Sequence, residues 1–158
     1  MTTSDLELRA ASADDLPTIV AITRAAFEEY RGVLDPPSGA HRETVENVRD
    51  KLASGTSVLA LLDGRAVGSV YYSAAPEYVY LGRLAVLPDY RGRGVGAALV
   101  DYVERAARAL GRLRVRLGVR VALPQLRARY ERLGYRVYEE RYHDGYATPT
   151  YLMMEKVL

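Results

Sequence analysis

The chain has 158 residues, 49% of them apolar and 27% charged, which predicts one globular domain over residues 1–158 with enough core to fold without covalent staples. It contains no cysteine, which excludes disulfides, thiolate metal sites and a cysteine nucleophile. A net charge of +2 is too small to mark a nucleic-acid binder. No 18-residue apolar run occurs and Met1–Asp5 does not begin a leader pattern, so a cytoplasmic protein without a membrane span is expected.

In chain order, alternation over Leu6–Arg9 predicts a first strand. Ser12 and Asp15 have capping-box spacing, and Leu16, Ile19, Val20, Thr23 and Phe27 form the apolar stripe of a helix stopped near Gly32. The turn-rich run Asp35-Pro36-Pro37-Ser38-Gly39 predicts a loop, followed by a second helix from about Thr44 to Leu52. Strands over 58–62 and 65–72 flank Asp63-Gly64, a two-residue hairpin signal. A third strand, Tyr78–Val86, loses its alternation near Gly82, which predicts a bulge or a close approach of ligand backbone.

Next comes Leu84-Ala85-Val86-Leu87-Pro88-Asp89-Tyr90-Arg91-Gly92-Arg93-Gly94-Val95-Gly96, where alternate glycines run from a strand end into a helix. Glycines at this spacing let backbone N–H groups converge on one point, and a helix N-terminus favours an anion there. Arg91 and Arg93 flank the loop and can add charge-assisted hydrogen bonds. The helix carries Val95, Ala98, Leu99, Tyr102, Val103, Ala106 and Leu110 at helical spacing and ends at Gly111. Leu113, Val115, Leu117 and Val119 then alternate with Arg112, Arg114, Arg116 and Gly118, giving a strand with one arginine face. Strand, helix, strand makes a βαβ unit with parallel flanking strands. A last helix starts at Pro124, buries Leu126, Tyr130 and Leu133 and stops at Gly134, and two strands over 135–141 and 150–157 finish the chain.

A nucleotide P-loop is excluded because no Gly-Lys-Ser/Thr follows, and a dinucleotide fingerprint is disfavoured by the preceding hairpin. Arg91-x-x-Gly94-x-Gly96 resembles the acetyl-CoA signature of the GNAT family of N-acetyltransferases, and Tyr130-Glu131-Arg132-Leu133-Gly134-Tyr135 is similar to that family's Tyr-x-x-x-Gly-Phe ending. The resemblance covers nearly the whole element order. It implies an α/β fold with a mixed sheet of about seven strands, about four helices and a splayed parallel pair at the cofactor site. It further implies an acetyl-CoA-dependent enzyme without metal, acting on a small-molecule or peptide amine by direct attack. Backbone groups of Leu84, Ala85 and Val86 would hold the pantetheine arm, and Arg91, Gly92, Arg93, Gly94, Val95 and Gly96 the pyrophosphate. Tyr130 would protonate or hydrogen-bond the departing thiolate, with nearby charge narrowing the roughly 1.5-unit gap between phenol and thiol.

The family's usual acidic residue before the central Leu-x-Val is replaced by Gly82-Arg83, so the base is open among Glu28, Glu29, His41, Glu77 and His143. An Asn expected about seven residues before the tyrosine is replaced by Leu123. Arg83 suggests a guanidinium that holds a carboxylate or phosphate on the acceptor, against ordinary salt bridging. The acceptor pocket is expected around Tyr30–His41 and 143–149, with Tyr30 and His143 as contacts. Two other readings are a non-catalytic CoA-binding regulatory module and an enzyme steered to RNA or protein amines by the arginine strand; a solvated or salt-bridged strand face is preferred to the latter. The tyrosine-rich final strands offer a surface for a homodimer.

Overall fold

A computed structural model describes residues 5–158; residues 1–4, on which the expectation of no leader partly rests, lie outside the described residues. The strands are β1 (Leu6–Ala10), β2 (Thr56–Leu62), β3 (Arg65–Ala74), β4 (Val79–Val86), β5 (Arg114–Arg120), β6 (Arg136–Arg141) and β7 (Tyr151–Val157). They form one seven-stranded sheet in the order β1-β2-β3-β4-β5-β7-β6. Only β4 and β5 pair in parallel; every other neighbouring pair is antiparallel.

The helices are α1 (Leu16–Phe27), α2 (Val45–Leu52), α3 (Val95–Ala109) and α4 (Pro124–Arg132). Leu16, Ile19 and Ile22 of α1 and Val48 of α2 pack with Leu59 and Ala85 in one apolar cluster. Val95, Leu99 and Val103 of α3 and Tyr130 of α4 pack with Val58, Val67, Val115 and Leu117 in the other. The sheet is therefore sandwiched between two helical layers, with no helix long and apolar enough to cross a membrane among the described residues.

Local chemistry accounts for the element ends. The Ser12 amide donates to the Asp15 carboxylate at 2.8 Å, Asp15 pairs with Arg9 at 2.7 Å, and Asn47 and Thr44 cap α2 reciprocally. Asp63 and Gly64 adopt φ of 51° and 82°, the double left-handed turn that matches the twist of a two-residue hairpin. The first helix ends at Phe27, earlier than Gly32, and continues as a single 3₁₀ turn over Glu28–Tyr30.

The buried face of α3 is rotated from the expected one: Val100, Glu104 and Ala107 are buried, whereas Leu110 is 48% exposed. The rotation is possible because Glu104 is neutralised. Lys156 Nζ reaches its two carboxylate oxygens at 3.0 and 3.2 Å, and the fully buried Tyr135 hydroxyl donates to Oε2 at 3.0 Å. The arginine face of β5 is likewise satisfied within the fold. Arg112 donates to the Ala75 carbonyl at 2.6 Å, while Arg116 pairs with Glu155 at 2.7 Å and lies between the rings of Tyr78 and Tyr138.

Removing one partner from a buried charge leaves the other uncompensated. Lys156→Met is expected to lower unfolding free energy by about 2–4 kcal/mol, read by urea denaturation. The double variant Lys156→Met/Glu104→Leu should recover much of that loss; equal damage from both would argue against the charge network.

Candidate active site

The sheet opens where β4 leaves β5. Val79 and Tyr80 pair with Val115 and Arg116, and no further rung joins the two strands. On its other edge β4 stays bonded to β3, but Ser69 faces Ala85 while Tyr71 faces Gly82, so β4 carries one extra residue there. An extra residue bends and twists a strand, which turns the end of β4 away from β5. The expected bulge is present. Its left-handed residue is Arg83 (φ 51°), not Gly82, and Gly82 is small because a Cβ there would lie 2.9 Å from the Tyr80 ring.

A side chain at φ near 51° is strained by about 1–2 kcal/mol, and the Arg83 conformation is held from outside the strand. Its Nε donates to Glu43 at 3.1 Å, and Lys51 Nζ reaches the same carboxylate at 3.2 Å. Glu43 is 3% exposed, and its own carbonyl accepts Arg24 Nε at 2.9 Å. Burial, followed by the charge of Arg83, pulls the Lys51 ammonium below its usual range. Arg83 thus borders the cleft as a salt-bridged residue, the plainer of its two readings.

Between the diverging strands lies a cavity of about 1260 Å³, larger than a typical drug-sized site. At one end are Leu84–Val86, whose edge toward β5 is unpaired, and the glycine loop. Gly92 and Gly94 sit at φ 77° and 81° with open space where a Cβ would project. Gly94 is the N-cap of α3, and the Ala98 amide closes the first turn on its carbonyl, leaving the preceding amides without helical partners. These features fit a pyrophosphate and a strand-like arm.

The flanking arginines do something else. Arg91 reaches back to the Val86 and Ala26 carbonyls at 3.3 and 3.0 Å and to Glu29 at 2.6 Å, tying the loop to β4 and the end of α1. Arg93 stacks on the Tyr90 ring at 5.2 Å, with Arg65 also over that ring at 5.5 Å. Arg91 is thereby committed to bracing the loop, whereas Arg93 is held by stacking and makes no hydrogen bond with a described residue.

Tyr130 lines the middle of the cavity, 5% exposed, with its ring edge-on to Tyr135 at 5.9 Å. Burial pushes its phenol well above the usual value, and the opposing effect of Arg129 is smaller. The expectation that nearby charge narrows the gap to a thiol is therefore reversed: burial widens it. Tyr30 also lines the cavity, its phenol raised chiefly by burial.

The opposite end is walled by Leu34, Pro36–Gly39 and His143. The two loops that carry these residues are tied by the Tyr146 hydroxyl donating to Asp35, and Arg120 at the end of β5 donates to the Pro36 carbonyl. His143 is held by Thr150, whose Oγ1 accepts its backbone N–H at 2.9 Å and lies 2.5 Å from Nδ1, and by the Tyr151 ring at 5.0 Å. Burial and the charge of Arg120 pull its imidazole below 6.5. Among the candidate bases, Glu29 and His143 line the cavity, and Glu29 is engaged by Arg91. Glu28 pairs with Arg31, while His41 and Glu77 stand outside the lining. Leu123, where the family's asparagine was expected, lines the cavity and precedes α4. Tyr80 and Arg120 also border the cavity, although neither stands in a motif; only the end of the arginine-faced strand hinted at Arg120.

The model of the acetyltransferase (GNAT) family matches residues 19–135. The chain belongs to that family. As a GNAT enzyme it is an acetyl-CoA-dependent N-acetyltransferase, which sets aside the non-catalytic alternative. It is similar to the S-alkylcysteine N-acetyltransferase of Bacillus subtilis, 29% identical over 98% of this chain and 90% of that protein. It is also similar to the glucosamine 6-phosphate N-acetyltransferase of Trypanosoma brucei brucei, 30% identical over 87% and 93% of the two chains. The fold matches that of the PaiA N-acetyltransferase from Thermoplasma acidophilum in complex with coenzyme A, with a TM-score of 0.83, 21% identity and coverage of 98% and 99%.

The glycine loop of this acetyltransferase is open to a direct test. Gly94→Ala and Gly111→Ala each place a Cβ at a left-handed φ with free space around it, so each is expected to cost about 1 kcal/mol in stability. Calorimetry should show acetyl-CoA binding weakened about tenfold or more by Gly94→Ala and little altered by Gly111→Ala at the far end of α3. Equal affinities for the two variants would remove the loop from the binding site.

Proposed function

We propose that this acetyltransferase transfers an acetyl group to the primary amine of a small molecule by direct attack, without a covalent enzyme intermediate. The observation that carries the reading is the unpaired edge of Leu81–Val86, which faces β5 across a cavity that Tyr130 and the glycine loop also line. The names of the two curated relatives, which act on S-alkylcysteine and glucosamine 6-phosphate, favour a small acceptor.

In this reading the N–H and C=O groups of Leu84–Val86 hold the pantetheine arm as an added strand, and the amides of Gly92–Gly96 hold the pyrophosphate. Acetyl-CoA supplies an activated acetyl carbonyl and a thiolate leaving group. Nitrogen forms the new bond to the carbonyl carbon as the carbon–sulfur bond breaks; the ammonium gives up two protons, one to the surroundings before attack and one, in balance, to the departing sulfur.

In the same reading Tyr130 donates at the sulfur. Because burial raises its phenol, it stays protonated and acts first as a hydrogen-bond donor to the developing thiolate, where a neutral donor in a dry site is most effective. His143, whose neutral form burial and the charge of Arg120 favour, is the group at the acceptor end suited to take the first proton.

Tyr130→Phe is expected to lower kcat by about 10²–10³ with acetyl-CoA affinity nearly intact, measured by release of free CoA thiol. Since the phenol lies above its ordinary value, kcat/KM for wild type should show no alkaline decline up to about pH 9, and the loss in the variant should be constant with pH. An alkaline limb present in wild type and missing in Tyr130→Phe would contradict the assignment. The downward shift of His143 favours its neutral form, so His143→Asn should depress kcat/KM across the neutral and mildly alkaline range.

A further inference from the structure

Resting on the N-acetyltransferase reading above, we infer that the acceptor end of the cavity selects an amine that also carries a carboxylate, and that Arg120 is the group that binds it. Seven arginines border the cavity among the described residues, against a single carboxylate, Glu29, which Arg91 occupies. An acceptor whose only charges are ammonium groups would enter a field of its own sign. An amino-carboxylate brings the counter-charge with it.

The arginines differ in what they are already doing. At the acceptor end Arg83 is bound to the buried Glu43 and Arg141 to Glu139 at 2.8 Å. Arg42, after the acceptor-side loop, is exposed to solvent, as are Arg129 and Arg132 on α4, the helix of Tyr130. Arg120 is half-buried and forms no salt bridge with a described residue; it donates one hydrogen bond, to the Pro36 carbonyl, leaving further N–H donors of its planar fork uncommitted. Asp35 lies near enough to favour its charge, but the Asp35 carboxylate accepts the Tyr146 hydroxyl. With no carboxylate within salt-bridge distance among the described residues, this partly desolvated guanidinium gains most from one that a ligand supplies. The fork matches a carboxylate geometrically, with two parallel N–H···O bonds.

The same arrangement answers the missing acidic base. A carboxylate beside an amine holds the proton on the nitrogen, and pairing that carboxylate with Arg120 cancels its influence, while the surrounding positive charge pushes the ammonium toward its free base. The acceptor is thus deprotonated by the field that recognises it, and His143, which lines the same end of the cavity, is available to take the proton. A phosphate on the acceptor would satisfy the field as well, so the test separates the two anions.

The experiment measures kcat/KM by CoA thiol release for matched acceptors: an amino acid, its carboxamide, the amine lacking the carboxylate, and an aminoalkyl phosphate, each with wild type and Arg120→Gln. For wild type the amino acid should exceed its carboxamide and the decarboxylated amine by about 10- to 100-fold, the scale of one charge-assisted pair. Arg120→Gln should lose a similar factor with the amino acid, and the two losses should not add: removing carboxylate and guanidinium together should cost little more than removing either. If Arg120 only braces the Pro36 loop, the variant would penalise all acceptors alike and the losses would multiply, which overturns the proposal. A preference for the aminoalkyl phosphate over the amino acid overturns the carboxylate assignment. Acetylation of neutral amines as fast as amino acids refutes the selection while leaving the N-acetyltransferase reading standing, whereas absence of CoA release with every acceptor, despite acetyl-CoA binding, would refute that reading itself.

Discussion

Parallel neighbours in a twisted sheet ordinarily remain hydrogen-bonded along their shared length, yet β4 and β5 part after two residue pairs. The departure is caused by one extra residue at Gly82-Arg83, and the extra residue persists because Arg83 is held in a left-handed conformation by a carboxylate forty positions earlier in the chain. Glu43 in turn is almost fully buried and shared with Lys51. Burying two cations on one carboxylate is a weak source of net stability, but breaking it is costly, so the contact acts as a lock on geometry more than as glue. The cavity, the free edge of Leu84–Val86 and the direction of the glycine loop all follow from it.

That lock also joins the two ends of the site. Glu43 lies between the acceptor-side loop and α2, Gly39 is small where a Cβ would lie 2.9 Å from Arg83 Nη2, and Arg24 of α1 fixes the Glu43 carbonyl. On the cofactor side Arg91 ties the glycine loop to the last turn of the same α1. Helix α1 is therefore braced by arginines at both the acceptor and cofactor walls, so the two ligands would approach each other across one rigid frame. Placing reactants by such a frame is a large part of what a transfer enzyme must do.

Much of this was legible in the sequence because it depends on local chemistry. The hairpin at Asp63-Gly64, the caps of α2, the stop at Gly134 and the glycine loop are all short-range patterns with a steric or hydrogen-bonding cause, and the βαβ unit gave the parallel pair. The features that could not be read are pairings between distant residues of unexceptional type. Nothing in Glu104 announces that Lys156 and Tyr135 will bury it, and periodicity therefore assigned α3 a face that is partly wrong. Arg91 stands beside an anion loop and invites a phosphate role, but its reach lets it serve as a brace. Arg120 lies at the end of an alternating strand, where only the fold turns it toward a cavity.

The buried phenol of Tyr130 and the missing acidic base are two sides of one electrostatic design. In a cavity bordered by arginines, a carboxylate base would be held by a guanidinium, as Glu29 is, and made a poorer proton acceptor. A neutral imidazole suffers no such capture. An uncharged phenol beside the sulfur likewise needs no counter-ion in a dry site, whereas a lowered phenol would place an anion next to a developing thiolate. Positive surroundings with neutral proton-handling groups thus favour every charge change the transfer requires: loss of a proton from nitrogen and growth of negative charge on oxygen and sulfur. At the bulge itself a local reason applies: an acid in place of Arg83 would set a second carboxylate against the buried Glu43, where a salt bridge now stands.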